Sequence, residues 1–191
     1  MYSDILSPFQ AVPDGTLDVA ALALAVATLD PLIPLSNNQL EAARAYLRDL
    51  PSRVRVRRHD LVMSGAEDDA RTDLAALKHV LVDEDGFAGD SEDYDDLENA
   101  NLVTVIERRR GLPIALAILY VHAGAGAGIT VRALDFPGHV VMRVERGAQM
   151  LMADPFAGCQ MLDAADLRAI LKRALGPKAE LRADYYAPLS R

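Results

Sequence analysis

His139 and Asp154 are the residues of this chain whose types and order could do chemistry together. His139 opens the apolar run H-V-V-M-R-V directly after Pro137-Gly138, and Asp154 ends the next run in M-A-D-P-F. An imidazole can take a proton from a thiol or hydroxyl, and a carboxylate on the neighbouring strand can hold the ring in one orientation. The third member of such a set would be a nucleophile at a helix N-terminus, where the helix dipole favours a thiolate. The helix in that place begins G-L-P-I-A, and Gly111, Leu112, Pro113, Ile114 and Ala115 offer no Cys, Ser or Thr. The order therefore predicts an imidazole–carboxylate pair in a thiol-enzyme frame whose nucleophile position, Pro113 or Ile114, is filled with apolar bulk.

Other candidates carry less chemistry. Cys159 is the single cysteine, so an intramolecular disulfide is impossible. It follows Asp154 closely enough for a loop to bring it back toward His139 as a displaced nucleophile, although a free cysteine is more often a small buried hydrophobe. His59, His79, His122 and His139 lack the spacing of metal ligands, so neither a metal nor a cofactor is expected. Asp83-Glu84-Asp85-Gly86 lacks the Asp-x-Asp-x-Asp-Gly order of a calcium loop and reads as part of a solvated acidic loop, Asp83 to Asp96. Gly124-Ala125-Gly126-Ala127-Gly128 follows a helix, and Ile129 stands where a dinucleotide fingerprint needs its third glycine. Glu107, Arg108, Arg110 and Gly138 are candidate binding residues. The arginines read more readily as charge at a helix C-terminus plus one buried Arg–carboxylate contact that fixes the following loop.

The elements that must position these groups follow from periodicity and punctuation. Leu17 to Leu29 reads as a helix capped by Asp14 or Thr16 and ended by Pro31 and Pro34. Ser36-Asn37-Asn38-Gln39 is a capping box for a helix from Gln39 to Leu50, with Pro51 closing it. Ser52 to Met63 alternates around Arg53, Arg55 and Arg57 but lies between helices, and helix is the reading taken. Helices are expected over Thr72 to Val82 and over Asn99 to Arg109, the second with Gly111 as left-handed cap. Pro113 then starts a helix to about Ala123 that is apolar all round and therefore central, loosening into the Gly/Ala run. The period then changes to two, with strands over Thr130 to Leu134, His139 to Val144 and Gln149 to Ala153. Asp163 caps a last helix, Leu167 to Leu175. A helical first half followed by a central helix on a small antiparallel sheet is an α+β architecture.

Composition narrows the function class. A formal net charge of −8 and a pI near 4.9 argue against a nucleic-acid partner, which needs a positive field. Positions 111–131 carry no Asp, Glu, Lys or Arg and follow three arginines, as a membrane span might. Pro113, His122 and the Gly/Ala run favour a buried core helix instead, so no membrane is expected. Asp4, Asp14 and Asp18 stand where a secretory signal needs basic and then apolar residues. A cytoplasmic location is the expectation, and the one cysteine fits a reducing compartment.

The segments L-A-A-L-K-H-V-L, G-F-A-G-D-S-E-D-Y, N-A-N-L-V-T-V-I-E-R-R-R-G-L-P-I-A-L-A-I-L-Y, F-P-G-H-V-V-M-R-V and A-D-P-F-A-G-C-Q-M-L occur in this order between Leu74 and Leu162. In these stretches the chain resembles the SirB-type transglutaminase-like family of bacteria. The resemblance implies a helical N-terminal region, residues 1–98, packed on a papain-related transglutaminase-like core, 99–176, with a C-terminal tail, 177–191. In true transglutaminases Cys, His and Asp form the triad. His139 and Asp154 match two members, and the cysteine would fall at Pro113 or Ile114. The family commonly has Gly-Ile-Pro there, so the departure is shared. The chain departs from the family's pattern at Asp93-Tyr94-Asp95-Asp96, and it stops about where members often continue into tetratricopeptide-like helices. The resemblance names no activity, and the missing nucleophile beside a remaining His139–Asp154 cleft predicts a non-catalytic binding or regulatory module, its partner a protein, peptide or small ligand. The alternative is a hydrolase or acyltransferase using water or Cys159.

Overall fold

A computed structural model describes residues 6–7 and 17–189. Helix α1 (Val19–Ala27) is capped by Asp18, whose carboxylate accepts from the backbone N–H of Ala20 and Ala21 at 3.1 and 3.0 Å. The caps expected at Asp14 and Thr16 lie outside the described residues. Helix α2 (Asn37–Met63) opens on the predicted capping box between Ser36 and Gln39.

Pro51 does not end α2. It sits inside the 27-residue helix, which continues through the arginine stretch. A proline has no N–H for the carbonyl four residues back, here that of Leu47. His122 supplies the missing partner, its Nε2 lying 2.8 Å from the Leu47 oxygen. The helix survives because a neighbouring element satisfies the group that the proline leaves open.

Helix α3 (Ala70–Lys78) is capped by Asp69 and passes into a π-helical turn, His79–Glu84, so the single α-helix expected over Thr72 to Val82 is divided. Strand β1 (Ala88–Gly89) follows. Helix α4 (Leu102–Arg108) is capped by Asn101, and strand β2 (Arg110–Gly111) pairs parallel with β1. The left-handed residue after α4 is Arg109, at φ 61°, and not Gly111. The strain is offset by stacking: the Arg109 guanidinium lies 4.5 Å from the Tyr46 ring centre and 4.7 Å from that of Phe87. Gly111 is needed for a different reason, since a Cβ there would lie 2.8 Å from Val105 Cγ2.

Helix α5 (Pro113–Ala127) is the central helix, started by Pro113 as expected. It does not loosen at the glycines but runs through them to Gly128, at φ 77°. Gly124 and Gly126 permit close approach, for a Cβ on either would lie 2.6 Å from Val131 Cγ2 or Pro51 Cβ respectively. Strands β3 (Thr130–Phe136), β4 (His139–Arg146), β5 (Gln149–Asp154) and β6 (Gln160–Leu162) form one antiparallel sheet in that order. Strand alternation sends Val131, Met142, Val144 and Ala153 into the main core with α5. Leu134, Phe136, Val141 and Leu162 face the other way, onto Leu167 and Leu171 of helix α6 (Ala164–Leu175). Asp163 caps α6 as predicted. Among the described residues no helix is long and apolar enough to cross a membrane. The architecture is α+β, with α5 central and the antiparallel sheet behind it.

Candidate functional site

The β4–β5 register pairs Met142 with Ala153, so the next residues inward, Val141 and Asp154, face each other. His139 stands two positions from Val141 and therefore shares its face, as a diagonal cross-strand neighbour of Asp154. The geometry follows: His139 Nε2 lies 2.9 Å from Asp154 Oδ1. The carboxylate sits off the line of the ring N–H, so this is a close polar contact and not an aligned hydrogen bond. Oδ1 also accepts from the backbone N–H of Phe156 at 2.8 Å and Ala157 at 3.2 Å. One oxygen thus closes the turn between β5 and β6 and touches the imidazole. Nδ1 of His139 has no hydrogen-bond partner among the described residues.

The pair lies in the wall of an open cavity of about 720 Å³ between the β5–β6 turn and α6. Gly138 lines it too, at φ 73°, and a Cβ there would lie 2.5 Å from Ala174 Cβ of α6. Phe156 forms an aromatic wall, edge-on to His139 at 6.3 Å and to Tyr94 at 5.9 Å. Gly89 on β1 makes room for that ring, since a Cβ there would lie 2.3 Å from it, and the Gly89 N–H donates to the Phe156 carbonyl at 3.0 Å. Tyr94, Gln160 and Arg173 also line the cavity, and none of their side chains has a hydrogen bond or ion pair among the described residues. None of the described residues lining it is Cys, Ser or Thr.

The remaining candidates lie elsewhere. Pro113 is buried and Ile114 is partly exposed, and neither lines this cavity. Cys159 is 2% exposed and packs with Tyr120, and burial pushes its thiol up to about 12. It is a core residue facing away from the imidazole's cavity. Glu107 accepts from Gln39 Nε2 at 2.8 Å and ties α4 to the start of α2. Arg108 donates to Asp96 at 2.7 Å and Glu98 at 2.8 Å and approaches Asp90 to 3.5 Å. Arg108 therefore clamps the acidic loop at Asp90 and Asp96, which are not simply solvated. Arg110 donates to the carbonyls of Gly86 and Arg109 at 3.0 and 3.1 Å. Of the four expected binding residues, only Gly138 joins His139 and Asp154. Tyr94, Phe156, Gln160 and Arg173 were not singled out from the sequence. Phe156 had a visible signal in its place directly after Asp154-Pro155, whereas the others depend on how α6 and the acidic loop fold back. Among the described residues no group of three or more His, Cys, Asp or Glu is placed to hold a metal ion.

The family model of the transglutaminase-like superfamily matches residues 41–191. The chain belongs to the transglutaminase-like superfamily. It is similar to a UPF0162 protein of Xylella fastidiosa strain Temecula1, 30% identical over 160 residues, covering 78% of this chain and 56% of that protein. A UPF0162 protein of Pseudomonas aeruginosa is 34% identical over 102 residues, 53% of this chain and 37% of that one. Human F-box only protein 21 is 32% identical over 83 residues, 44% of this chain and 13% of its own length. The chain spans about half the length of the first of these relatives. No solved structure matches.

Proposed function

We propose that this chain is a non-catalytic transglutaminase-like binding or regulatory module whose ligand enters the cavity lined by His139 and Asp154. The observation that carries this reading is that the imidazole–carboxylate pair borders an open cavity whose described lining contains no thiol or hydroxyl nucleophile other than the phenol of Tyr94. A serine, threonine or cysteine nucleophile must lie within hydrogen-bond reach of its base. Cys159, the candidate for a displaced nucleophile, is buried outside the cavity with a raised pKa, and a neutral thiol is a poor nucleophile. What the cavity does offer is recognition: an aromatic wall, an apolar flank from α6, and the uncommitted polar groups of Tyr94, Gln160, Arg173 and His139 Nδ1. The motifs E-R-R-R-G-L-P-I, P-G-H and D-P-F support placement in the SirB-type branch, and the proposal sets the module in the cytoplasm with a protein, peptide or small ligand as its partner.

The test is a protein-observed NMR screen with N-acetylated, C-amidated tripeptides of apolar, acidic and basic side chains. Binders should shift the His139 ring signals, and His139→Ala should weaken them roughly tenfold or more while leaving the melting midpoint within a few degrees. Absence of any binder, together with a large loss of stability in His139→Ala, would make the pair a purely structural contact. The uncommitted Nδ1 favours one rival reading, a general base acting on water. Cleavage of a tripeptide with uptake of labelled oxygen from water, abolished in His139→Ala, would establish that reading instead.

A further inference from the structure

A second surface lies behind the β5–β6 turn. Strand β6 is the last strand of the sheet and has no partner on its outer side among the described residues. Its Met161 is 45% exposed. Across a groove of about 410 Å³, helix α3 presents Arg71, Leu74, Ala75 and Lys78, at the i, i+3, i+4, i+7 spacing of one helical stripe. Leu74 and Cys159 form the floor, and Ala75 and Met161 line the sides. Arg71 and Lys78 have no hydrogen bond or ion pair among the described residues. In a chain with 28 acidic and 20 basic residues, two uncommitted cations flank an apolar groove beside an open sheet edge.

The geometry points to this groove as a docking site for an extended acidic peptide, added to β6 as a fifth strand with its carboxylates on Arg71 and Lys78. Strand addition draws affinity from main-chain hydrogen bonds and specificity from side-chain pockets. The charges set the occupant. Seven residues of helix rise about 10 Å, and residues i and i+4 on one face of a strand are about 13 Å apart, a difference that the long Arg71 and Lys78 side chains span, so the cations can meet carboxylates on one face of a strand. Leu74 and Met161 lie between them for an apolar side chain. The site needs neither His139 nor the cavity proposal above.

The probe is a fluorescein-labelled Glu-Thr-Val-Thr-Glu-Thr peptide, which puts two carboxylates and the valine between them on one face of the strand, followed by fluorescence anisotropy and by backbone amide shifts. Binding should shift the amides of Gln160, Met161 and Leu162 and weaken as salt rises. The double variant Arg71→Glu, Lys78→Glu should lose about tenfold or more in affinity, and the Lys-Thr-Val-Thr-Lys-Thr counterpart should not bind. Both substituted positions are exposed, and Arg71→Ala, Lys78→Ala, with folding checked by circular dichroism, gives the same test without reversed charge. Two further peptides, N-methylated on alternate residues in opposite phase, should differ, because only one phase blocks the edge that pairs with β6. Equal affinity for both, an unchanged dissociation constant in the charge variants, or no binding at all would overturn the proposal. Self-association of the chain through β6, abolished by Met161→Arg, would also overturn it by assigning the groove to a second copy.

Discussion

Asp154 carries two loads on one oxygen, the turn that leads to Phe156 and the contact with His139. Substitutions can separate them. Asn keeps an acceptor for both backbone N–H groups but removes the charge, whereas Ala removes both. Asp154→Ala should therefore cost about 1–3 kcal/mol and Asp154→Asn less than about 1 kcal/mol, measured by urea denaturation. Ligand binding that depends on the contact between Asp154 and His139 should fall in both. Equal stability losses would show that the turn does not depend on the side-chain acceptor. Cys159 supplies a second residue-scale outcome. Burial favours the neutral thiol, so its contribution to stability is fully present below the ordinary value of 9.0 and is lost as pH rises from there toward about 12. Iodoacetamide at pH 8 should label the native chain slowly and the urea-unfolded chain at the rate of a free thiol. Fast native labelling that disappears in His139→Ala would restore Cys159 as a nucleophile.

At the scale of elements, the contact between α2 and α5 departs furthest from what the local sequence suggests. Leu47 has a carbonyl that Pro51 cannot serve, and His122 serves it from α5. His122→Ala should cost about 1–3 kcal/mol by leaving that oxygen unpartnered. The same change in a Pro51→Ala background should cost less, because alanine at that position brings its own N–H. A double-mutant cycle by thermal denaturation measures the difference, and strictly additive losses would dismiss the compensation. Gly124→Ala tests the same packing from the sheet side. The helix-propensity gain of about 1 kcal/mol should be outweighed by the clash with Val131, giving a net loss. These contacts also explain what was legible in the sequence. The capping box at Ser36, the Pro113 start, the Asp163 cap and the period-two strands are local signals, and each stands within a few residues of its expected place. Pro51 and Gly124 to Gly128 carried local signals that tertiary contacts overrode. At the site, His139 and Asp154 could be paired from strand order alone, whereas Tyr94 and Arg173 reach the cavity only through folds of a loop and a helix remote in sequence.

For the whole molecule, the excess of acid is organised rather than spread evenly. Asp73, fully buried, is held by Arg58 from α2 and Arg146 from β4, and so fastens the sheet to the helical layer. Backbone N–H groups hold the carboxyls of Asp90, Asp96 and Asp163 below their ordinary value of 3.8, with Arg108 adding to the first two. Lowered values stabilise the fold above 3.8, and that stability is lost as pH falls through and below it. The opposite end of the molecule is closed by residues 177–189, which fold back on the sheet's far face. Leu189 N–H donates to the Ala133 carbonyl at 2.9 Å, and Pro188 bridges to Leu134 on the outer edge of β3. Tyr185 and Tyr186 pack edge-on to Phe136 at 6.0 and 6.5 Å, while Arg143 donates to the Tyr186 carbonyl at 3.0 Å. An open β3 edge beside uncovered Leu134 and Phe136 would be a pairing surface for other chains. Removing residues 177–191 should therefore lower stability by about 2–4 kcal/mol and promote self-association. Urea midpoints and light scattering give the two readouts. Tyr185→Ala should lose part of the same energy without exposing the edge, so its midpoint should fall while its scattering stays monomeric. An unchanged midpoint on removal of the segment would show that the sheet's far face is held by α6 alone.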